Sequence, residues 1–337
     1  MAERIGNSTI FLNNRPSITG YGSVVGKTER EGPLGDEFDR FDIDIRFGEK
    51  TFERAESRIQ KIAVETALKK AGISEKDCDV IFAGDLLNQC IGSTFGLKDK
   101  NIPYVGIYGA CSTMALGLSL ASVFVDCGIA KNAVAVTSSH FCSAERQYRF
   151  PLEYGALRTP TSQRTVTGSG AAVLSLQGDK PYINSVTFGK IVDRGVCDAN
   201  NMGAAMAPSA ADTIKEYFYD TNTSPEDYDI IITGDLGFVG TKLLYELLLK
   251  DDIDIRCKHN DCGQMIYDKN LRDVNAGGSG CGCSAVVLNS YIMHRFENRD
   301  FNNILFMSTG ALLSPTSALQ GESIPGITHL LNIRNPE

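Results

Sequence analysis

The residue best placed for chemistry is Cys111, in Tyr108-Gly-Ala-Cys-Ser-Thr-Met-Ala-Leu. A short apolar run from Val105 to Tyr108 enters it as a strand, and an uncharged apolar run leaves it as a helix. A thiol at a helix N-terminus meets unpaired N–H groups and the positive end of the dipole, which favour a thiolate or a bound anion. The N–H groups around Cys111 and Ser112 are therefore expected to receive an anionic group. The bland reading of the same position is a small buried side chain, since free cysteine packs well. His140 closes the run Ala133-Val-Ala-Val-Thr-Ser-Ser, at the C-terminal end of a predicted strand, where ligands gather in parallel sheets. A loop histidine held by a backbone partner reads equally well there. Asp85 and Asp235 also end predicted strands, each after a glycine. A buried carboxylate needs partners, so each either faces a ligand or caps the next turn. Arg146 and Arg149, just past His140, are candidate counter-charges for an anion, or simply solvated charges.

Two other motifs carry less. Cys257-Lys-His-Asn-Asp-Cys262, with Cys281 and Cys283, raises a zinc question, but the spacings are irregular for a structural zinc site and no metal or other cofactor is expected. Gly168-Ser-Gly-Ala-Ala-Val-Leu is a glycine turn entering a strand; without a lysine and a following helix it is not a phosphate loop.

The elements that must position these residues are written twice. Thr223-Ser-Pro-Glu-Asp-Tyr-Asp-Ile-Ile-Ile-Thr-Gly-Asp235-Leu repeats Ile73-Ser-Glu-Lys-Asp-Cys-Asp-Val-Ile-Phe-Ala-Gly-Asp85-Leu. Each reads as an acidic turn, a buried strand and a Gly-Asp at its C-terminal end. Cys111, Asn132 and Ser138 recur as Cys281, Asn302 and Ser308, with a helix and a strand in each interval, and Arg15-Pro-Ser-Ile-Thr recurs as Lys180-Pro-Tyr-Ile-Asn. Three matches in one order argue for a duplicated α/β chain, with residues 1–178 forming one half and 179–337 the other. Within the first half, Ile59, Ile62, Ala63 and Ala67 share one face of a predicted helix that Gly72 ends.

Composition narrows the classes of function. The chain has 337 residues, 42% hydrophobic and 22% charged, which is ordinary globular composition. A net charge of -8 leaves no electrostatic footprint for nucleic acid or an anionic membrane. Ten cysteines lie scattered through apolar segments behind an opening without an apolar signal region, so free thiols and an intracellular location are expected. Val105 to Val125 carries no formal charge and is long enough to span a bilayer. Its glycines and serines, and its place in the repeat, make it the central helix of a large core instead.

Taken together, the duplicated α/β chain, Ala-Cys-Ser opening a central helix and the Gly168 turn resemble the thiolase superfamily, which includes the ketoacyl-synthase condensing enzymes. The resemblance covers nearly the whole chain. It implies a five-layered αβαβα fold of two pseudo-twofold-related halves, a homodimer, and a cysteine at the inner end of a pocket. The departures bear on activity. Condensing enzymes of the family set a histidine and an asparagine, or a histidine and a second cysteine, beside the nucleophile. Here Gly234-Asp235-Leu236-Gly237 stands where the family has His-Gln-Ala-Asn, and Gly278-Ser279-Gly280 where it has Gly-Asn-Thr. Asn275-Ala-Gly-Gly278 stands where thiolases carry Gly-His-Pro, and Met307-Ser-Thr-Gly at the place of their second cysteine. An aspartate cannot replace a histidine in an oxyanion hole, because it repels the developing charge.

Gly109-Ala-Cys-Ser-Thr-Met, Ser138-Ser-His-Phe-Cys-Ser-Ala-Glu-Arg-Gln-Tyr-Arg-Phe-Pro, Asn260-Asp-Cys-Gly-Gln-Met-Ile-Tyr-Asp and Gly277-Gly-Ser-Gly-Cys-Gly-Cys-Ser-Ala resemble, more closely, a sporulation branch of this fold. That resemblance implies non-catalytic binding of dipicolinic acid, or its calcium chelate, during its movement across the spore inner membrane. The chain would work there as a peripheral protein beside membrane proteins of the same operon. The implied pocket is floored by Cys111 and Ser112 and walled by His140, Asp85, Asp235 and Ser279, with Arg146 and Arg149 as counter-charges. The competing reading is an acyltransferase or condensing enzyme that uses Cys111 with an unusual helper set.

Overall fold

The computed structural model describes residues 2–148, 158–177, 179–271 and 273–336. The strands are β1 Glu3–Ile5, β2 Thr9–Phe11, β3 Ser17–Gly26, β4 Val80–Gly84, β5 Tyr104–Gly106, β6 Ala133–Ser139, β7 Gly168–Ser175, β8 Tyr182–Thr187, β9 Ile230–Thr233, β10 His259–Asp261, β11 Asn303–Ala311 and β12 Gly326–Arg334. They order as β5-β4-β6-β7-β3 in the first half and β10-β9-β11-β12-β8 in the second. Pairing repeats with the order: the first three strands of each run are parallel to one another and the last two alternate antiparallel. A single pair, Ser17 with Tyr182, joins the two runs, and the β1–β2 hairpin extends the second along β8.

Helices cover both faces of both sheets. The first outer layer is α1 Phe52–Ala71 with α2 Ile91–Leu97; α3 Thr113–Asp126 lies in the middle; α4 Phe141–Tyr148 follows β6; α5 Met202–Thr221 and α6 Gly237–Leu249 form the second outer layer; α7 Cys281–Val287 completes the middle layer and continues as further helix to Glu297. Helix α3 packs on strands of both sheets, α1 only on the first, and α5 on the second. Three apolar clusters fill the interfaces. Ile59, Ala63 and Ala67 lie under α1, as the sequence face predicts; Ala210, Ile214 and Tyr217 lie under α5; the largest cluster joins Met114 and Leu118 of α3 to Phe82 of one sheet and Phe306 of the other. This is the five-layered, pseudo-twofold α/β architecture expected.

The ends of the elements obey local chemistry. Thr51 caps α1 by accepting from the Arg54 N–H, and Gly72 ends the helix at φ 69. In the twin helix Asn201 and Asn222 hold the same places, Asn222 at φ 52. Ser74 with Asp77, and Ser224 with Asp227, form matching capping boxes. Asp79 accepts from the N–H groups of Lys131 and Asn132, and Asp229 from those of Asn302 and Asn303. The strand register agrees: Val80 pairs with Ala133 and Ile230 with Ile304. The match of Asn132 with Asn302 and Ser138 with Ser308 is thereby corrected by one residue, to Asn303 and Thr309. The apolar run through Val125 is divided between β5 and a middle-layer helix that starts at Thr113. Among the described residues no helix is long and apolar enough to cross a membrane.

Candidate functional site

The turn carrying Cys111 is built from its neighbours. Ala110 adopts φ 51, a left-handed conformation that costs a residue with a Cβ. Three bonds hold it: the Ser112 hydroxyl donates to the Gly109 carbonyl at 2.7 Å, the Thr113 hydroxyl donates to the Ala110 carbonyl at 2.6 Å, and the Gly109 N–H donates to Thr113 Oγ1 at 3.1 Å. The Ser112 N–H also turns back on the Gly109 carbonyl. Ser112 is fully buried in this turn and does not line the cavity, contrary to the expected ligand contact. Strand β11 approaches closely because it carries Gly310, where a Cβ would meet the Gly109 carbonyl oxygen at 2.4 Å. Leu86, Cys111, Ala144 and Cys281 pack together, so the turns that open α3 and α7 meet.

Cys111 faces a cavity of about 190 Å³. Ser279 Oγ lies 3.8 Å from its sulfur and donates to Asp235 Oδ2 at 2.9 Å. Asp235 also accepts from the Gly280 N–H at 3.1 Å and the Thr309 hydroxyl at 2.7 Å. Burial pushes the Asp235 carboxyl up to about 6, against the pull of these donors. Burial, and then the Asp235 charge, pushes the Cys111 thiol well above its ordinary value. Against the pull of the helix terminus expected from the sequence, desolvation and an adjacent carboxylate favour the neutral thiol.

Apart from Ser279, the walls were not legible in the sequence. Tyr108 and Tyr148 place their hydroxyls 3.2 Å apart, and Tyr148 donates to the Leu86 carbonyl. Gln163 Nε2 ties the Asp235 carbonyl (2.6 Å) to the Gly278 carbonyl (3.0 Å). A parallel bridge of Arg164–Thr165 with Gly278–Ser279 brings Thr165 and Ser279 to the same rim. Glu145 lines the cavity and pairs with Arg158 at 2.6 Å, both side chains less than a tenth exposed. Asn200 and the apolar Met202, Ala311 and Leu313 close the second-half side.

Several expected site residues lie elsewhere. Asp85 is fully buried but caps the segment after β4, accepting from the N–H groups of Leu87 (2.9 Å) and Ser93 (2.7 Å) and from the Ser93 hydroxyl (2.6 Å). His140 packs on Phe52 in the outer layer; its Nε2 bonds the Ile45 carbonyl at 2.8 Å and its Nδ1 accepts from the Cys142 N–H at 3.1 Å. With one nitrogen accepting and burial lowering its pKa, the ring is a neutral imidazole held by backbone, and not a charge for a ligand. Arg146 is more than half exposed and pairs with Glu53. Arg149 lies outside the described residues. None of the chain's four histidines lines the cavity: His259 bonds Thr233 and Tyr245, His294 bonds Glu37, and His329 accepts from the Gly189 N–H. Among the described residues no group of three His, Cys, Asp or Glu side chains is placed to hold a metal ion.

Comparison with known proteins agrees with this architecture. Residues 6–334 match the family described as stage V sporulation protein AD (SpoVAD). Stage V sporulation protein AD of Bacillus subtilis (strain 168) is 43% identical over 324 residues, 96% of each chain. Among solved structures, 3-oxoacyl-[acyl-carrier-protein] synthase III from Aquifex aeolicus VF5 is similar with a TM-score of 0.56 at 15% identity, covering 95% of this chain and 99% of that one. Cerulenin-bound OleA of Xanthomonas campestris is similar with a TM-score of 0.59 at 14% identity, covering 98% of this chain and 100% of that one. At such identities these two establish the fold, that of the thiolase-like condensing enzymes.

Proposed function

The chain belongs to the stage V sporulation protein AD family, and we propose that it binds dipicolinic acid, or its calcium chelate, without catalysis, as that molecule moves across the spore inner membrane. One observation carries the non-catalytic half of this reading: the cavity holds a thiol with no histidine beside it. No histidine reaches the cavity, and Asp235 and Ser279 stand beside the sulfur. An acyl transfer needs a thiolate and donors aimed at a developing oxyanion. A neutral thiol above a carboxylate offers neither.

What supports a ring-shaped ligand is size and lining. An apolar cavity of about 150 Å³ accepts one benzene, so about 190 Å³ has room for one substituted ring. The hydroxyls and amides of Tyr108, Thr165, Asn200 and Ser279 supply hydrogen bonds at its edges. Among the described residues no cationic side chain lines the cavity, and Arg158 is paired with the lining residue Glu145. A neutral calcium chelate therefore fits this lining better than a bare dianion, which would meet the Glu145 carboxylate and that of Asp235 behind Ser279.

Calorimetric titration with dipicolinic acid, with and without calcium, tests the reading, with acyl-coenzyme A as a control and mass spectrometry of the protein afterwards. Saturable binding, tighter with calcium, and no adduct on Cys111 is the expected result. A stoichiometric acyl adduct that turns over would instead establish the condensing-enzyme reading, which the position of Cys111 at the cavity floor favours.

The partners we propose are a second copy of the chain and membrane proteins of the same operon, which would hold it peripherally at the inner membrane. The edge strand β5 supports the homodimer: Tyr104 and Val105 are exposed on it, with Ile91, Phe95 and Tyr108 nearby in sequence and also exposed. Apolar edges of this kind are covered in stable proteins. Val105→Lys with Phe95→Lys should turn a dimer into a monomer by light scattering; an unchanged mass would move the contact elsewhere.

A further inference from the structure

The two halves finish their long outer helix against the sheet in contrasting ways. In the first half Gly20 lies so close to α1 that a Cβ would meet the Ala67 carbonyl oxygen at 2.3 Å, with Ala67, Cys78 and Val173 buried around it. Strand register, with a bulge at the same point of both sheets, and the matching helix caps set the equivalences. Ser185 stands for Gly20, Tyr217 for Ala67, Tyr228 for Cys78, Asn332 for Val173, and Arg334 for Ser175. Four small or apolar side chains thus become hydroxyls and an amide, and a hydroxyl becomes a guanidinium. In place of close apolar packing these residues line a cavity of about 530 Å³, within the range of ligand sites.

The lining is organised. Thr221 and Thr223 place their hydroxyls 2.8 Å apart, Thr223 and Tyr228 2.9 Å, Tyr228 and Tyr217 3.2 Å, and Tyr217 and Ser185 3.4 Å. Tyr217, Tyr228 and Ser185 are almost fully buried, and burying hydroxyls costs free energy that the twin half avoids with alanine and cysteine. The two carboxylates at the rim are already engaged: Asp220 accepts from the N–H groups of Asn7, Ser8 and Thr9, and Asp227 from Ser224. Arg334 lines the same cavity, and among the described residues no carboxylate is in ion-pair range of it. A guanidinium is matched in shape to a carboxylate or phosphate.

We propose that this cavity is a second ligand site, separate from that of Cys111, for a small hydroxylated oxyanion: its charge on Arg334, its hydroxyls on the chain from Ser185 to Thr221. The whole protein is titrated by calorimetry with gluconate and, in a second arm, glycerol phosphate, which separates a carboxylate from a phosphate ester. At least one should bind saturably. Arg334→Gln should weaken it about tenfold or more, the loss expected of a charged hydrogen bond. Tyr217→Phe should weaken it less, and Cys111→Phe should leave it unchanged. Absence of binding in both arms, or binding indifferent to Arg334→Gln and Tyr217→Phe, overturns the proposal. Dipicolinate binding lost in Arg334→Gln but kept in Cys111→Phe also overturns it, by assigning this cavity to the ligand proposed for the other.

Discussion

Asp85 and Asp235 occupy the same place in the two halves, each after a glycine at or just past the end of the second strand, yet their carboxylates point to different layers. Asp85 turns outward and caps the N–H groups of Leu87 and Ser93. Asp235 turns inward, to Thr309, Ser279 and Gly280 beneath Cys111. The cause lies in the segment after each strand. After β4 the chain passes Gln89 and Cys90 through left-handed conformations (φ 56 and 51) before α2, and the free N–H groups there must be satisfied locally. After β9 the helix opens at once on Gly237, and Asp261 of the neighbouring strand accepts from the N–H groups of Leu236 and Gly237, both at 2.9 Å. Relieved of capping, Asp235 holds Ser279 and Gly280, which line the cavity beside Cys111. A duplicated sequence sets where a residue stands; the turn after it sets where its side chain goes.

The largest effect expected from this asymmetry concerns the two cysteines. Cys111→Phe projects a ring into the cavity, so the protein should fold and lose dipicolinate binding entirely in calorimetry. Cys281→Phe should not fold, because that side chain is fully buried, donates to the Ser138 carbonyl at 2.9 Å and does not line the cavity. Equal behaviour of the two variants would mean that the turns are not differentiated. Next in size, Asp85→Ala strands buried donors and should cost about 2–4 kcal/mol in urea denaturation, while folded molecules bind ligand as the parent does. His140→Ala should cost about 1–3 kcal/mol by the same measure, again with binding intact, because the ring serves the Ile45 and Cys142 backbone. Weakened binding in either folded variant would return these residues to the ligand site.

Much of the frame was legible in the sequence because it rests on local signals. The acidic turns and the apolar strands recur in both halves, and these and the Gly72 cap form as expected. The site was legible only in part. Cys111, Asp235 and Ser279 do converge, since strand ends and the turns opening the middle helices must meet at the pseudo-twofold axis. His140 and Asp85 read toward the ligand in sequence because they end strands, but a strand end has two faces, and helices α1 and α2 claim the outer one. Glu145 and Tyr148 reach the cavity from the two-turn helix α4, and Gln163 from an irregular stretch, all too short for a periodicity that announces direction.

The smallest effect expected separates the charged from the neutral form of the ligand. Asp235, at about 6, is the carboxyl nearest the sulfur of Cys111; Asp261, at about 7, lies behind it, engaged with Leu236 and Gly237, and burial keeps the nearby thiols of Cys111, Cys262 and Cys283 protonated across this range. Between pH 7.5 and 5 the layer directly behind Ser279 and Cys111 therefore gains a proton at Asp235. A bare dicarboxylate should bind several-fold more tightly as pH falls through 6, whereas the neutral calcium chelate should change little, and Asp235→Asn should flatten the profile of the bare acid. Stability carries the same sign. A carboxyl raised by burial binds its proton more tightly folded than unfolded, so its contribution favours folding at low pH and is lost as pH rises through about 6. Asp235→Asn should accordingly melt higher than the parent above pH 6, with the difference closing toward pH 4. Calorimetry and thermal melts on the same samples check both. A profile that stays flat in the parent, or that rises with pH, would show that the ligand does not sit above Asp235.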